Sequence, residues 1–383
     1  MDYLASLSDD FHVTTSTVKE LKSFPSSSDF YRHFVSKSLP FKVLDFTQPT
    51  PSGESVPSFD PRLSSLSSLS SLLGDSLITV NVTPSHGKGD ALFATSTDES
   101  SGAPSSFVFV PPVPLRMTFN DFVSRLFAPS PSPVYYYSQQ DDNLRSSSEL
   151  RLLSSLNLLP SSLPFVESCL MTGPHVAANL WVGDGRATTT MHSDPFENVY
   201  FVLKGVKRFV LVPPYYGGHL YEDDVPNGYW PEDELDKGEG AVPSVMRTAE
   251  KGDGTEGETP TTRWVGGDVE CPEDVARLPN LAKAKYLVVE VNEGEALYLP
   301  AMWYHKVTSV GERETIAVNF WYDMEFDGLR WLTFNFAARV GEEERRRSEN
   351  NNNCCSVAAD KKKSEADAPP RAPPTSSSGR YNL

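Results

Sequence analysis

Seven short runs rich in Val, Tyr, Phe and Trp, at residues 176–182, 198–203, 207–212, 286–291, 296–299, 305–309 and 315–322, constrain the fold more than anything else in this chain. Segments of this length and composition predict strands, and so many of them in succession predict a sandwich or jelly roll. Lys204-Gly205 separates two of the runs as a hairpin turn would. The interval 231–279 is dominated by Gly, Glu, Asp and Thr. It is too long and polar for an ordinary connection and reads as a largely mobile insertion.

Upstream the pattern is mixed. Ser28 can cap a helix carrying Phe30, Tyr31, Phe34 and Val35, which Leu39-Pro40 ends before a strand at 41–46. Asp60-Pro61 is an N-cap and first-turn pair for a second helix with an apolar stripe at Leu63, Leu66, Leu69, Leu72 and Leu73, and Gly74 stands at its C-cap. Residues 77–82 and 107–110 read as strands, and Thr118 with Asp121 opens a helix through Phe119, Phe122, Val123 and Leu126. The expected organisation is a helix-strand extension over 1–160 packed on a barrel over 161–340, then a disordered tail over 341–383, where almost no apolar residues remain. Lys361, Lys362 and Lys363 read as a solvated charge run, with weak nuclear import as the alternative.

With 51 acidic against 34 basic residues the net charge is −17. Such a surface repels phosphate backbones and attracts a substrate carrying Lys or Arg, so direct nucleic acid binding by bulk charge is excluded. No run of about 18 apolar residues occurs, and the start MDYLASLSDDF has acid where a secretory signal has base. Cys169, Cys271, Cys354 and Cys355 form no CxxC pair, so reduced thiols and an intracellular protein, cytoplasmic with the nucleus as a further place, are expected.

The segment Thr188-Thr189-Thr190-Met191-His192-Ser193-Asp194 carries the chemistry. Residues two apart on a strand share a face, so His192 and Asp194 can present an imidazole and a carboxylate to one point. His305, at the start of another predicted strand, is the best candidate for a third ligand. Two imidazoles and a carboxylate leave positions open on iron, although manganese and zinc accept the same donors. Taken alone, the HxD pair better fits a partly buried His beside a turn-forming Asp, both satisfied by backbone groups. Its surroundings favour the metal. Lys207 follows His192 by fifteen residues and alternates with Phe209 and Leu211; a Lys among inward apolar residues requires an anionic partner, and Thr189 can assist it. Asn319, inside the apolar strand at 315–322, is either a satisfied core amide or a pocket residue.

The stretches TTTMHSDPFENVYFVLKGVKRFVLVPP, GEALYLPAMWYHKV and IAVNFWYDM together resemble the jumonji-C superfamily of iron(II)- and 2-oxoglutarate-dependent oxygenases, and within it the jumonji-C domain-containing protein seven group of lysyl hydroxylases. The resemblance extends upstream through FYRHFVSKSLP, ITVNVTP and the strand ending at Tyr135-Tyr136-Tyr137. It implies a mainly β protein with flanking helices, built on a double-stranded β-helix of the jelly-roll or cupin type. It implies Fe(II) on His192, Asp194 and His305, and 2-oxoglutarate, with O2, held by Thr189 and Lys207. It also places Tyr137, Asn198, Tyr200 and Asn319 in the pocket. The implied activity is hydroxylation of a lysine in a partner such as a developmentally regulated GTP-binding protein, with a homodimer as a further option. Acids such as Glu197 or Asp323 are candidates to neutralise the incoming ammonium. The rival readings are an N-methyl-lysine demethylase, a histone-tail peptidase, and a jelly-roll binding module without catalysis.

Overall fold

In the computed structural model, residues 17–97, 104–129, 132–146, 150–170, 173–247 and 259–366 are described. Eleven strands form two facing sheets, numbered here in chain order: β1 Lys19–Leu21, β2 Phe41–Val43, β3 Lys88–Gly89, β4 Ala177–Gly183, β5 Thr188–Ser193, β6 Phe196–Lys204, β7 Val206–Val212, β8 Leu287–Asn292, β9 Ala296–Leu299, β10 Tyr304–Val310 and β11 Thr315–Asp323. One sheet runs β1-β2-β9-β6-β11-β4 and the other β8-β7-β10-β5-β3. Strands β4 to β11 contribute four antiparallel neighbours to each sheet, which is the double-stranded β-helix of the cupin and jelly-roll folds. The β6–β7 hairpin turns at Gly205, whose φ of 76° and close approach to the Glu314 carbonyl leave no room for a Cβ.

The predicted strand runs are nearly continuous in hydrophobicity because the first sheet is buried on both faces. Its inner face meets the second sheet through Tyr200, Val202, Leu297 and Ala317 against Phe209, Leu211, Val289 and Val291. Its outer face, with Val199, Phe201, Val318 and Phe320, is covered by the N-terminal extension. That extension supplies the helix Ser27–His33, capped by Ser26, and the helix Leu66–Leu73. The expected long helix from Asp60 is two pieces: a 3-10 turn Pro61–Ser64 capped by Asp60, then a new start at Ser65, whose hydroxyl accepts the Ser68 N–H. Serine competes for backbone donors and so can restart a helix. The Thr118 cap forms as expected, bonding Asp121 at both backbone and carboxylate.

Two expectations fail. Most of 231–279 is packed: Thr261–Trp264 pairs with Asp223–Pro226, and Val265, Val269 and Leu281 cover the outer face of the second sheet beside Met191 and Tyr304. Lys306 and Arg208 tie the same segment to the barrel through Asp268 and Glu270 at 2.6 and 2.8 Å. Its polar average conceals a few well-spaced apolar anchors; residues 248–258 lie outside the described part. The tail also begins as helix. Leu329–Ala366 is one helix, and Arg345 reaches Asp223 at 2.8 Å. It crosses the turn at Pro214–His219, where Gly218 lies against Gly341 so closely that a Cβ would overlap it. Residues 367–383 lie outside the described part.

Phe201 joins the extension to the barrel, its ring 5.1 to 6.0 Å from those of Phe24, Phe46, Phe59 and Phe320. Phe201→Ala is expected to cost about 3–5 kcal/mol. In urea, extension and barrel should unfold together at a lower midpoint; an early transition of the extension alone would contradict the shared core.

Candidate metal centre and its buried lysine

Strands β5 and β10 lie side by side with His192 opposite His305. The register slips between Thr189 and His192. Such a bulge places an extra residue on one side of the strand. Thr189 and His192, three apart, therefore both face the cavity, while Met191 is buried on the outer face. Strict alternation would have put Thr189 and His192 on opposite faces.

The nearest Nε2 to carboxylate distance is 3.6 Å for both His192–Asp194 and His305–Asp194. The donor atoms of all three lie within 4.8 Å of one another. Neighbouring ligands on an ion held by ~2.1 Å bonds stand about 3.0–3.4 Å apart, so small side-chain adjustments would close on a metal. Each imidazole has its Nδ1 against a backbone carbonyl, His192 on Thr190 at 2.7 Å and His305 on Trp303 at 3.0 Å. This is the orientation that frees Nε2 for a metal. Asp194 is fixed by its own carbonyl, which accepts the N–H of Met302, a residue at φ 67°. Burial opposes charge on all three groups. It pushes His305 down to about 4, while the Asp194 carboxylate holds His192 above its ordinary value and His192 in turn keeps Asp194 low. The residues present fit a divalent metal with open positions.

Lys207 is 1% exposed. Its ammonium donates to Ser309 Oγ at 2.7 Å and Tyr136 Oη at 3.1 Å and lies over the Tyr136 ring. All of these partners are neutral, and burial pushes its pKa down to about 7 against a weak pull from Asp184. An ammonium dried out in this way would be stabilised by an anion brought beside it. Tyr136 and Thr189 line the cavity that also holds His192, Asp194 and His305. The far wall is an amide chain: Asn319 accepts from Trp181 Nε1 at 2.9 Å and Asn179 Nδ2 at 3.3 Å, and donates to Asn198 at 3.2 Å. Tyr200 also lines the cavity and packs edge-on against Phe209.

Of the nine residues singled out from sequence, eight line this cavity or touch its lining. Tyr137 does not. Its ring is buried in the core under the extension, and its backbone pairs with Val182. The neighbouring Tyr136 faces Lys207 instead, because successive residues of an extended chain point to opposite faces. Glu197 and Asp323 are also elsewhere. Glu197 is buried against Tyr298 Oη at 2.6 Å, Arg330 at 2.6 Å and the Ala301 N–H, so it braces the loop before His305. Asp323 lies with it beside Arg330. Sequence reasoning missed Ser309, although it stands directly opposite Lys207 in the ladder. It also missed Trp264, whose ring stacks on His192 at 5.8 Å and 6° and whose Nε1 donates to Thr190. Only the paired strands of the supposedly mobile segment bring Trp264 there.

The family pattern described as a cupin-like domain matches residues 27–328. Over 307 residues the chain is 31% identical to "Bifunctional peptidase and (3S)-lysyl hydroxylase JMJD7" of Homo sapiens, an alignment spanning 79% of this chain and 83% of that protein. It is 24% identical over 324 residues to "JmjC domain-containing protein E" of Dictyostelium discoideum, spanning 82% and 85%. It is 27% identical over 324 residues to "Lysine-specific demethylase JMJ32" of Arabidopsis thaliana, spanning 83% and 85%.

The depressed pKa of Lys207 has a thermodynamic signature. Between about 7, its folded value, and 10.5, its ordinary one, the unfolded chain binds the extra proton, so stability from this group rises with pH across that window. Below pH 7 the dried ammonium weighs fully against the fold. Lys207→Met should therefore be more stable than the parent at pH 6, the gap shrinking by at most about 1.4 kcal/mol per pH unit from pH 7 upward. Urea midpoints at pH 6 and 9.5 test this; a gap independent of pH would contradict it.

Proposed function

This chain belongs to the cupin-like family of jumonji-C oxygenases, and from that premise we propose that it is an iron(II)- and 2-oxoglutarate-dependent hydroxylase of a lysine side chain in a partner protein. The observation that carries the reading is one cavity holding both a His-Asp-His set and a wall that reaches a buried ammonium with no carboxylate of its own. Such a cavity suits a dicarboxylate lying between metal and lysine.

His192, Asp194 and His305 would hold the metal, with the Thr190 and Trp303 carbonyls fixing the tautomer of each imidazole. Lys207, bonded to the hydroxyls of Tyr136 and Ser309, would meet the far carboxylate of 2-oxoglutarate, with Thr189 lining the same cavity. The anion would restore full charge to the ammonium in a dry site, where a charge-assisted bond is strong. Asn198, Tyr200 and Asn319 form a wall already joined by hydrogen bonds and ring packing, so little side-chain freedom remains to be lost on binding. When bound, iron(II) with 2-oxoglutarate and O2 supplies the oxidising chemistry that places one oxygen atom on a substrate C–H and leaves succinate and CO2. The protein's share is to orient that C–H and exclude water.

The choice of lysine rests on the similarity to a relative named as a lysyl hydroxylase and on the acidity of this chain, whose net charge of −17 favours a cationic partner. A GTP-binding protein of the developmentally regulated class, met in the cytoplasm or nucleus, is the proposed partner. A metal-site peptidase would leave the buried Lys207 without a role, and a cysteine peptidase would need an activated thiolate. Among the described cysteines, Cys169 is buried under the extension with its thiol pushed up to about 12, and Cys271 lies at a helix start in the segment over the outer face of the second sheet. Neither belongs to the cavity.

Two outcomes are expected. Asp194→Ala should stay folded yet make no succinate from 2-oxoglutarate; retained succinate would overturn the metal assignment. Mass spectra of lysine peptides after turnover should show gain of one oxygen on unmethylated lysine. Loss of a methyl group from N-methyl-lysine would instead establish the demethylase reading.

A further inference from the structure

Acids around the barrel are almost all committed. Glu197 is held by Arg330, Asp184 by Arg186, Asp268 by Lys306 and Glu270 by Arg208. Glu222 accepts from Tyr304 and lies near Arg263. Asp90 differs. It follows β3, which pairs with the start of β5 so that Lys88 and Gly89 stand opposite Thr188 and Thr189. This carries Asp90 to Thr190, whose hydroxyl donates to the Asp90 carbonyl. Asp90 adopts φ 50°, a left-handed conformation that Asp tolerates better than most residues. Its side chain is half-buried, burial pushes its carboxyl above the ordinary carboxylate range, and no cation or donor among the described residues satisfies it.

We propose, building on the lysine-hydroxylase reading, that Asp90 is a specificity-determining residue that receives the ε-ammonium of the substrate lysine beside the metal centre. Three segments meet there. Thr190 of β5 bonds Asp90 with its hydroxyl and receives Trp264 Nε1 at 3.3 Å, while the Trp264 ring lies parallel to His192 and 4.7 Å from Phe109. A half-buried carboxylate without a protein partner, on a residue linked through Thr190 to Trp264, is the chemistry that recognises an alkylammonium, and a partly buried carboxylate persists at a cost unless a cation completes it. Trp264 reaches this position from the 231–279 segment, so that segment sets a ring on His192 as well as covering the barrel.

The test needs no turnover and no knowledge of the partner protein. Full-length protein loaded with manganese(II) and 2-oxoglutarate is titrated with n-butylammonium, the lysine side chain alone, and separately with n-butanol, and the proton line broadening caused by the metal is compared. For the parent, n-butylammonium should broaden about fivefold more than the alcohol, the ratio given by one partly exposed ion pair. Asp90→Asn, chosen because Asn also tolerates a positive φ, should erase the difference while relaxation of water protons shows the metal still held; Asp90→Glu should retain part of it. Equal broadening by amine and alcohol in the parent, or an undiminished amine preference in Asp90→Asn, would overturn the assignment. Either result leaves the hydroxylase reading to its own product analysis, so the two ideas fail separately.

Discussion

The pairing of β5 with β10, interrupted by one bulge, is the constraint on which the rest of the site depends. The ladder sets His192 opposite His305, and the slip of register between Thr189 and His192 brings a threonine hydroxyl and an imidazole to the same side of one strand. Removing the extra residue would move either the metal ligand or Thr189 to the outer face, because side chains alternate with period two. The outer face is itself occupied: Met191, Val210, Val212 and Tyr304 meet Val265, Val269 and Leu281 there. The bulge is thus backed by packed side chains on its outer side and faces the cavity on its inner side.

The buried lysine shows the opposite balance, a group that weighs against stability. Lys207 sits in a cage of Ser309, Tyr136 and apolar neighbours, where a methionine would bury the same stem without a charge. A buried cation with only neutral partners is destabilising, and such groups cluster at functional sites. The surrounding fold tolerates it because the barrel is clamped from both faces, by the aromatic cluster around Phe201 and by the ion pairs of Lys306 and Arg208.

Much of this was legible in the sequence, for identifiable reasons. The strand at 315–322 is mostly β-branched and aromatic because both its faces are buried, and it forms as β11. His305 and Lys207 stand out as polar residues at the start of such runs, where a polar side chain needs a purpose, and His192 and Asp194 by their spacing of two. What failed depended on register or on distant contacts. With three adjacent tyrosines, one residue of register decides whether Tyr136 or Tyr137 faces the lysine, and composition cannot supply that. The serine-rich stretch hid a break at Ser65 because its apolar stripe continues across the cap. Trp264 and Asp90 lie 72 residues after and 102 residues before His192 and reach it through short strand pairs, Thr261–Trp264 with Asp223–Pro226 and β3 with β5. Two-residue and four-residue ladders in polar surroundings leave almost no periodic signal.

The central claim is that the three ligands and Lys207 form one site for a metal and a 2-oxo dicarboxylate. It is tested most directly by adding iron(II) and 2-oxoglutarate to the protein without oxygen and recording the visible absorption band of iron(II) with a bound 2-oxo acid. The band should appear, vanish in His192→Ala, and require much more 2-oxoglutarate in Lys207→Ala. A folded, metal-loaded protein that shows no band would contradict the claim and leave the barrel as a binding module.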